Sequence, residues 1–180
     1  MRYLAATPSL GLKYLTAPGD PQDHLQLSGY ADADYAADLE ERRSRSGYLW
    51  IIDGAPIAWH SAIQKTCVAQ STAEAEFVAL AECCKEFLWL RQLLDDMGSP
   101  QKDDIPIYED NRACIAFTQS GRNYRKLKHV DVRLHFLRDM IIKHHIKIHP
   151  IATNDQLADI FTKGLTGPKF DTLRQNLMTN

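Results

Sequence analysis

The sequence predicts an α/β fold built on a five-stranded mixed sheet, its first three strands antiparallel, with helices flanking it. Three observations predict this. Three runs of strand length come in succession before any long helix, and two later runs alternate with segments whose apolar residues recur at helical steps. Between the second and third runs stands Asp53-Gly54, a dipeptide suited to a two-residue hairpin turn. The resulting order is β-β-β-α-β-α-α-β-α. Its antiparallel opening argues against a doubly wound parallel sheet.

Each element follows from local pattern. Residues 1–23 hold a short helical remnant at Arg2-Tyr3-Leu4, a brief strand around Gly11-Leu12-Lys13-Tyr14, and a Pro/Gly/Asp loop over 17–23. This stretch has too little apolar surface to stand alone and is expected to be the remnant of an upstream domain. Residues 25–33 alternate loosely and end in an acidic cluster, 47–53 are rich in Tyr, Trp and Ile, and 57–61 complete the meander. The charged segment 38–45 is expected to be a solvated loop. From Thr72 to about Met97, Phe77, Leu80, Cys84, Phe87, Leu88 and Leu94 recur at helical spacing, and Gly98 and Pro100 end the helix. Residues 105–108 form a fourth strand and 111–119 a short helix. Over 127–144, Val130, Leu134, Leu137 and Ile141 make one apolar stripe. Residues 146–151 form the fifth strand. A helix is expected from Thr153 or Asn154 to Gly164, and a last amphipathic helix over 170–178. The expected organisation is a flank at 1–23, a domain at 24–165 and a helical tail at 166–180.

Composition excludes several classes. With 180 residues, 44% of them hydrophobic and 24% charged, the chain suits one soluble globular domain and not a disordered segment. No apolar run approaches the roughly 20 residues of a membrane span, so no membrane partner is expected. The opening Met1-Arg2-Tyr3-Leu4-Ala5-Ala6 lacks the apolar stretch of a secretory signal, which makes a cytoplasmic location the expectation. Cys67, Cys83, Cys84 and Cys114 lack the spacing of a zinc site and read as small apolar core residues. A net charge of −2 rules out a polycation, so any contact with nucleic acid must come from local basic patches.

The chemistry gathers in carboxylates at strand ends and helix starts: Asp32 and Asp34, Glu74 and Glu76, Glu109 and Asp110, Asp155 and Asp159. Hard oxygen ligands from several elements suit Mg²⁺ or Mn²⁺. Each also has a structural explanation. Helix N-termini favour acidic residues, Ser71 with Glu74 is a capping box, and Asp110 is placed to cap the following helix. Capping does not account for Asp32 at a strand's end, or for Glu76 and Asp159 beyond the usual capping positions.

At this point the sequence resembles a known family. Gly29-Tyr30-Ala31-Asp32-Ala33-Asp34, Ser46-Gly47-Tyr48, Ala55-Pro56-Ile57-Ala58-Trp59, Ser71-Thr72-Ala73-Glu74-Ala75-Glu76-Phe77, Trp89-Leu90-Arg91, Glu109-Asp110-Asn111, Lys128-His129-Val130-Asp131-Val132-Arg133 and Gln156-Leu157-Ala158-Asp159-Ile160-Phe161-Thr162-Lys163 resemble the ribonuclease H domain of copia-type retrotransposon reverse transcriptases. The likeness runs in order from about Tyr3 to Leu165. It implies a type I ribonuclease H fold and an Asp-Glu-Asp-Asp metal site, carried over to Asp32, Glu76, Asp110 and Asp159. Asp34 shares the pleat face of Asp32, so pattern alone leaves both open. The implied activity is endonucleolytic hydrolysis of the RNA strand of an RNA–DNA hybrid with two Mg²⁺ ions, for which Mn²⁺ can substitute. The implied partners are the hybrid and an upstream reverse transcriptase domain, and the implied setting is a virus-like particle in the cytoplasm.

Two departures and one open surface complete the reading. Cellular ribonucleases H carry a histidine loop before the last helix, for which Ile151-Ala152-Thr153-Asn154 is too short, and His149 sits in a strand. Where copia-type domains commonly have Val-Pro, this chain has Ile151-Ala152. Arg122, Lys126, His129 and Arg133 are candidate substrate contacts, and Arg42, Arg43 and Arg45 form a second basic group. Trp59 and Trp89 are expected in the core. An integrase-like nuclease would place its essential Glu after both Asp residues, whereas Glu76 lies between Asp32 and Asp110. A non-catalytic domain that only grips hybrid would be expected to have lost the carboxylates. A domesticated relic with an intact site stays open.

Overall fold

The computed structural model describes residues 2–12, 14, 25–65, 67–101, 104–120 and 128–178, and for 128–131 the backbone alone. Its elements are α1 (Arg2–Ala6), β1 (Leu27–Asp34), β2 (Arg45–Ile52), β3 (Ala55–Ile63), α2 (Thr72–Asp96), β4 (Ile105–Glu109), α3 (Arg112–Gln119), α4 (Lys128–Ile142), β5 (Ile146–Pro150), a 3-10 helix (Leu157–Phe161) and α5 (Gly167–Leu177). The five strands make one sheet in the order β3-β2-β1-β4-β5. The first three pair antiparallel, while β4 lies parallel to β1 and β5 parallel to β4. Asp53 and Gly54 both have positive φ, 47° and 81°, as a tight turn between twisted antiparallel strands requires.

A parallel neighbour needs a crossover, and the helices supply it. α2 carries the chain from the meander back to β4, and α3 with α4 carries it to β5. Because side chains alternate across a strand, β2 has apolar residues on both faces. Tyr48 and Trp50 join a core with Phe77, Phe87, Leu134 and Leu137 of α2 and α4. Leu49 and Ile51 meet Leu157, Leu173 and Leu177 on the opposite side. The sheet is thus a middle layer, with α2, α3 and α4 on one face and the 3-10 helix and α5 on the other. Residues 166–178 pack on the sheet through Leu173 and Leu177.

Several expectations are revised. The helix expected from Thr153 or Asn154 to Gly164 is a turn followed by the short 3-10 helix, because the Gln156 side chain accepts from the Ala158 N–H and stops any earlier start. α5 begins at Gly167 rather than at Phe170, with Pro168 in its first turn, where a missing N–H costs nothing. Among the described residues no strand precedes β1, and Gly11 makes an isolated bridge. Lys13 and residues 17–23 lie outside the described residues. Trp59 and Trp89 are 52% and 58% exposed, and Trp50 is the tryptophan of the core. Trp59 sits on the edge strand, and burial on α2 follows Phe87, Leu90 and Leu94, which turns Trp89 outward. Cys83, Cys84 and Cys114 are buried, Cys67 is half-buried, and all four are free thiols.

Candidate metal centre

Three carboxylates from three elements converge. Asp32 comes from the central strand β1, Glu76 from the second turn of α2 and Asp110 from the residue after β4, and a carboxylate oxygen of each lies within 4.8 Å of the others. Local chemistry sets each in place. Ser71 is the N-cap of α2, its hydroxyl accepting from the Glu74 N–H at 3.2 Å. Glu74 accepts from the Gln70 N–H at 2.8 Å, one residue earlier than a standard capping box. The start of α2 is therefore pinned, and Glu76, two residues beyond Glu74, turns into the protein. For α3 the N-cap is Asn111, which accepts from the Cys114 N–H at 3.0 Å, so Asp110 is released from capping.

The fourth expected ligand, Asp159, is fully buried beside this group in the 3-10 helix. Lys163 Nζ lies 2.6 Å from Asp159 Oδ1 and 3.6 Å from Asp32 Oδ2, and so bridges the two carboxylates. Lys169 of α5 pairs with the other Asp159 oxygen and donates to the Thr153 carbonyl at 3.0 Å. The Thr162 hydroxyl donates to Asp32. Gln156, also fully buried, ties this segment to the sheet: its Nε2 donates to Ala31 O at 2.9 Å and Tyr108 O at 3.3 Å, one residue before Asp32 and two before Asp110. Gly47, paired with Asp32 in the β1–β2 ladder, lets the 3-10 helix come close. A Cβ there would stand 2.6 Å from Thr162 Cγ2 and 3.0 Å from Phe161 Cβ.

Crowded, buried negative charge governs the electrostatics. Burial raises the Asp32 pKa to about 6, with Asp159 and Asp110 adding to the rise while Lys163 and Thr162 oppose it. Glu76 is pushed up to about 11, first by burial and then by the charges of Glu109, Asp32 and Asp110. Glu109 is fully buried and held well above the carboxylate range by burial, although it accepts from the Asn111 N–H at 3.0 Å. For Lys163 burial works downward, but the hydrogen bond to Asp159 and the charges of Asp32 and Asp159 outweigh it and raise its pKa. Among the described residues, Glu76 Oε2 and Glu109 Oε2 are buried oxygens without a hydrogen-bond partner. Hard oxygen donors, mutual repulsion and orphaned acceptors fit a divalent cation.

The structure thus brings Asp32, Glu76 and Asp110 together and sets Asp159 beside them through Lys163. Asp34 is half-buried outside the cluster of three, and Asp155 is exposed in a turn. Of the candidate substrate contacts, Arg122, Lys126 and the His129 side chain lie outside the described residues. Arg133 is half-buried, with Nη1 3.8 Å from Cys67 Sγ. In the other basic group, Arg43 is engaged by Glu41 and by the carbonyls of Gln64 and Lys65. Sequence reasoning singled out Glu109 only as one of the strand-end carboxylates, and missed the parts played by Thr162, Lys163, Lys169 and Gln156. Only Lys163 carried a local signal, standing four residues after Asp159, where helical side chains meet.

No protein-family profile matches the chain. It is 39% identical over 149 residues to the retrovirus-related Pol polyprotein from transposon TNT 1-94 of Nicotiana tabacum, covering 83% of this chain and 11% of that protein. It is 32% identical over 177 residues to the Pol polyprotein from transposon RE2 of Arabidopsis thaliana, covering 98% of this chain and 12% of that protein. These two relatives are retrovirus-related Pol polyproteins of plant transposons, which bears out the resemblance read from the sequence, and the chain spans roughly a tenth of their length. Among solved structures it is similar to LC11-RNase H1 in complex with an RNA/DNA hybrid, with a TM-score of 0.54 and 13% identity over 76% of this chain and 94% of that one. The architecture is the ribonuclease H fold.

Proposed function

We propose that this chain is a ribonuclease H domain that hydrolyses the RNA strand of RNA–DNA hybrids during retrotransposon reverse transcription. The observation that carries the reading is the convergence of Asp32, Glu76 and Asp110, from β1, α2 and the end of β4, on one point of a ribonuclease H fold. Asp32, Glu76, Asp110 and Asp159 would hold two divalent ions, Mg²⁺ or in its place Mn²⁺. When bound, such ions supply an activated water and stabilise charge on the departing 3′ oxygen. The protein's own part is to hold the carboxylates where a divalent cation relieves their repulsion. Thr162 and Lys163 orient Asp32, Lys169 orients Asp159, and Gln156 keeps the 3-10 helix against the ends of β1 and β4.

The same reading gives the surroundings their roles. Arg122, Lys126, His129 and Arg133, before and within the start of α4, are proposed phosphate contacts of the hybrid. Similarity to Pol polyproteins of far greater length supports an upstream reverse transcriptase domain as the covalent partner, with residues 1–23 as the joint and 24–165 as the nuclease. Among the described residues no helix is long and apolar enough to cross a membrane.

The test is hydrolysis of a labelled RNA–DNA hybrid with Mg²⁺, with double-stranded RNA and double-stranded DNA as controls. Cleavage confined to the RNA of the hybrid, and abolished by EDTA, is the expected result. Tight hybrid binding without cleavage would instead favour a gripping domain.

A further inference from the structure

Lys163 occupies an unusual place for a lysine. Its ammonium lies 2.6 Å from Asp159 Oδ1 and 3.6 Å from Asp32 Oδ2, between two buried carboxylates from different elements. Asp159 has Lys169 as well, so removing Lys163 would still leave that buried carboxylate an ion-pair partner. Asp32, by contrast, also faces Glu76 and Asp110 across a cluster no wider than 4.8 Å. Lys163 keeps 33% of its side chain in solvent, so its flexible four-carbon stem has a way out of the gap.

We propose that Lys163 is a built-in counter-cation that holds the gap between Asp32 and Asp159, so that the site takes one divalent ion readily and a second only when this ammonium is displaced. The inference rests on the metal-site reading above. Its physical basis is exclusion. An ammonium within ion-pairing distance of both carboxylates satisfies the charge a second cation would satisfy, and two cations cannot share that gap without strong repulsion. Among the described residues no ammonium is paired with Glu76 or Asp110 at the first ion position. Lys163 is therefore a positioning residue that sets the affinity difference between the two ions. Lys169 lacks this role, because its contacts are with Asp159 and the Thr153 carbonyl.

Titration calorimetry of the full chain with Mn²⁺ tests this without reference to activity. Wild-type protein is expected to bind one ion and, more weakly, a second. Lys163→Met should tighten the second event by at least about tenfold while leaving the first within about threefold, since a unit positive charge leaves the gap. Lys163→Arg, which keeps the charge, should retain the wild-type separation. In electron paramagnetic resonance the Met variant should show the spin-coupled signal of an ion pair at a lower Mn²⁺ concentration than wild type. Lys163→Gln replaces the Met variant if that one fails to fold. Two events of unchanged affinity in the neutral variant would overturn the inference while leaving the metal site standing. A wild-type chain that takes up no Mn²⁺ would overturn both.

Discussion

Glu74 and Glu76 stand two residues apart on α2 in opposite surroundings. The first is an N-terminal cap partner, accepting from the Gln70 N–H, and the second is a buried carboxyl among three others. Glu76→Gln is expected to cut hybrid cleavage by at least about a hundredfold, because a neutral amide forfeits several kcal/mol of metal-centred stabilisation. In EDTA at pH 7 the same variant should melt higher than wild type. The fold holds Glu76 protonated against an unfolded chain that prefers it ionised, and glutamine removes that conflict. Glu74→Gln should keep most activity, at a cost of no more than about 1 kcal/mol in urea denaturation. The sequence made this division legible because the Ser71–Glu74 cap is a local pattern. It also placed Asp32 on the pleat face it occupies, but only the packing of α2 and β4 against β1 separates it from Asp34. Lys169 and Gln156 were illegible because their partners are set by the tertiary fold: Gln156 binds a carbonyl 125 residues away.

At the scale of elements, the 3-10 helix is the part on which the site depends and the part that pattern reading described least well. Strands and long helices announce themselves by period, so β1 to β5 and α2 to α4 were legible to within a few residues at their ends. Residues 153–164 were read as one helix because their composition suits one, yet Gln156 spends its side chain on β1, β4 and its own local cap. That tie makes two expectations. Gln156→Ala leaves the Ala31 and Tyr108 carbonyls without this donor and should destabilise the fold by about 1–3 kcal/mol in urea denaturation. Gly47→Ala puts a methyl group 2.6 Å from Thr162 Cγ2, forcing the 3-10 helix outward. It should cost about 1–3 kcal/mol in the same measurement and lower Mn²⁺ affinity, as Asp159 moves off Asp32. A Gly47→Ala protein with wild-type stability and metal affinity would show that the close approach is not needed.

Across the whole molecule, metal, protons and stability are linked through the buried carboxylates. Asp32 rises from 3.8 to about 6 and Glu76 from 4.5 to about 11, so over those intervals the folded chain binds more protons than the unfolded one. Metal-free stability from this cluster should therefore be greatest below the ordinary carboxylate range and fall as pH rises, to about 6 for Asp32 and on past neutrality for Glu76, because the unfolded chain then gives up protons that the folded one keeps. Divalent ions bind the deprotonated form, so their stabilising effect has the opposite slope. The rise in melting temperature on adding Mg²⁺ should be larger at pH 8 than at pH 6, and a smaller rise at pH 8 would contradict this linkage. The central claim is that Asp32, Glu76 and Asp110 form the centre that holds the catalytic metal. It is tested most directly by the anomalous scattering of crystals soaked in Mn²⁺. The expected result is a strong peak within coordination distance of all three carboxylates, lost in Asp110→Asn together with hybrid cleavage. A protein that cleaves hybrid while its Mn²⁺ peak lies elsewhere, or that shows none at this cluster, would contradict the account.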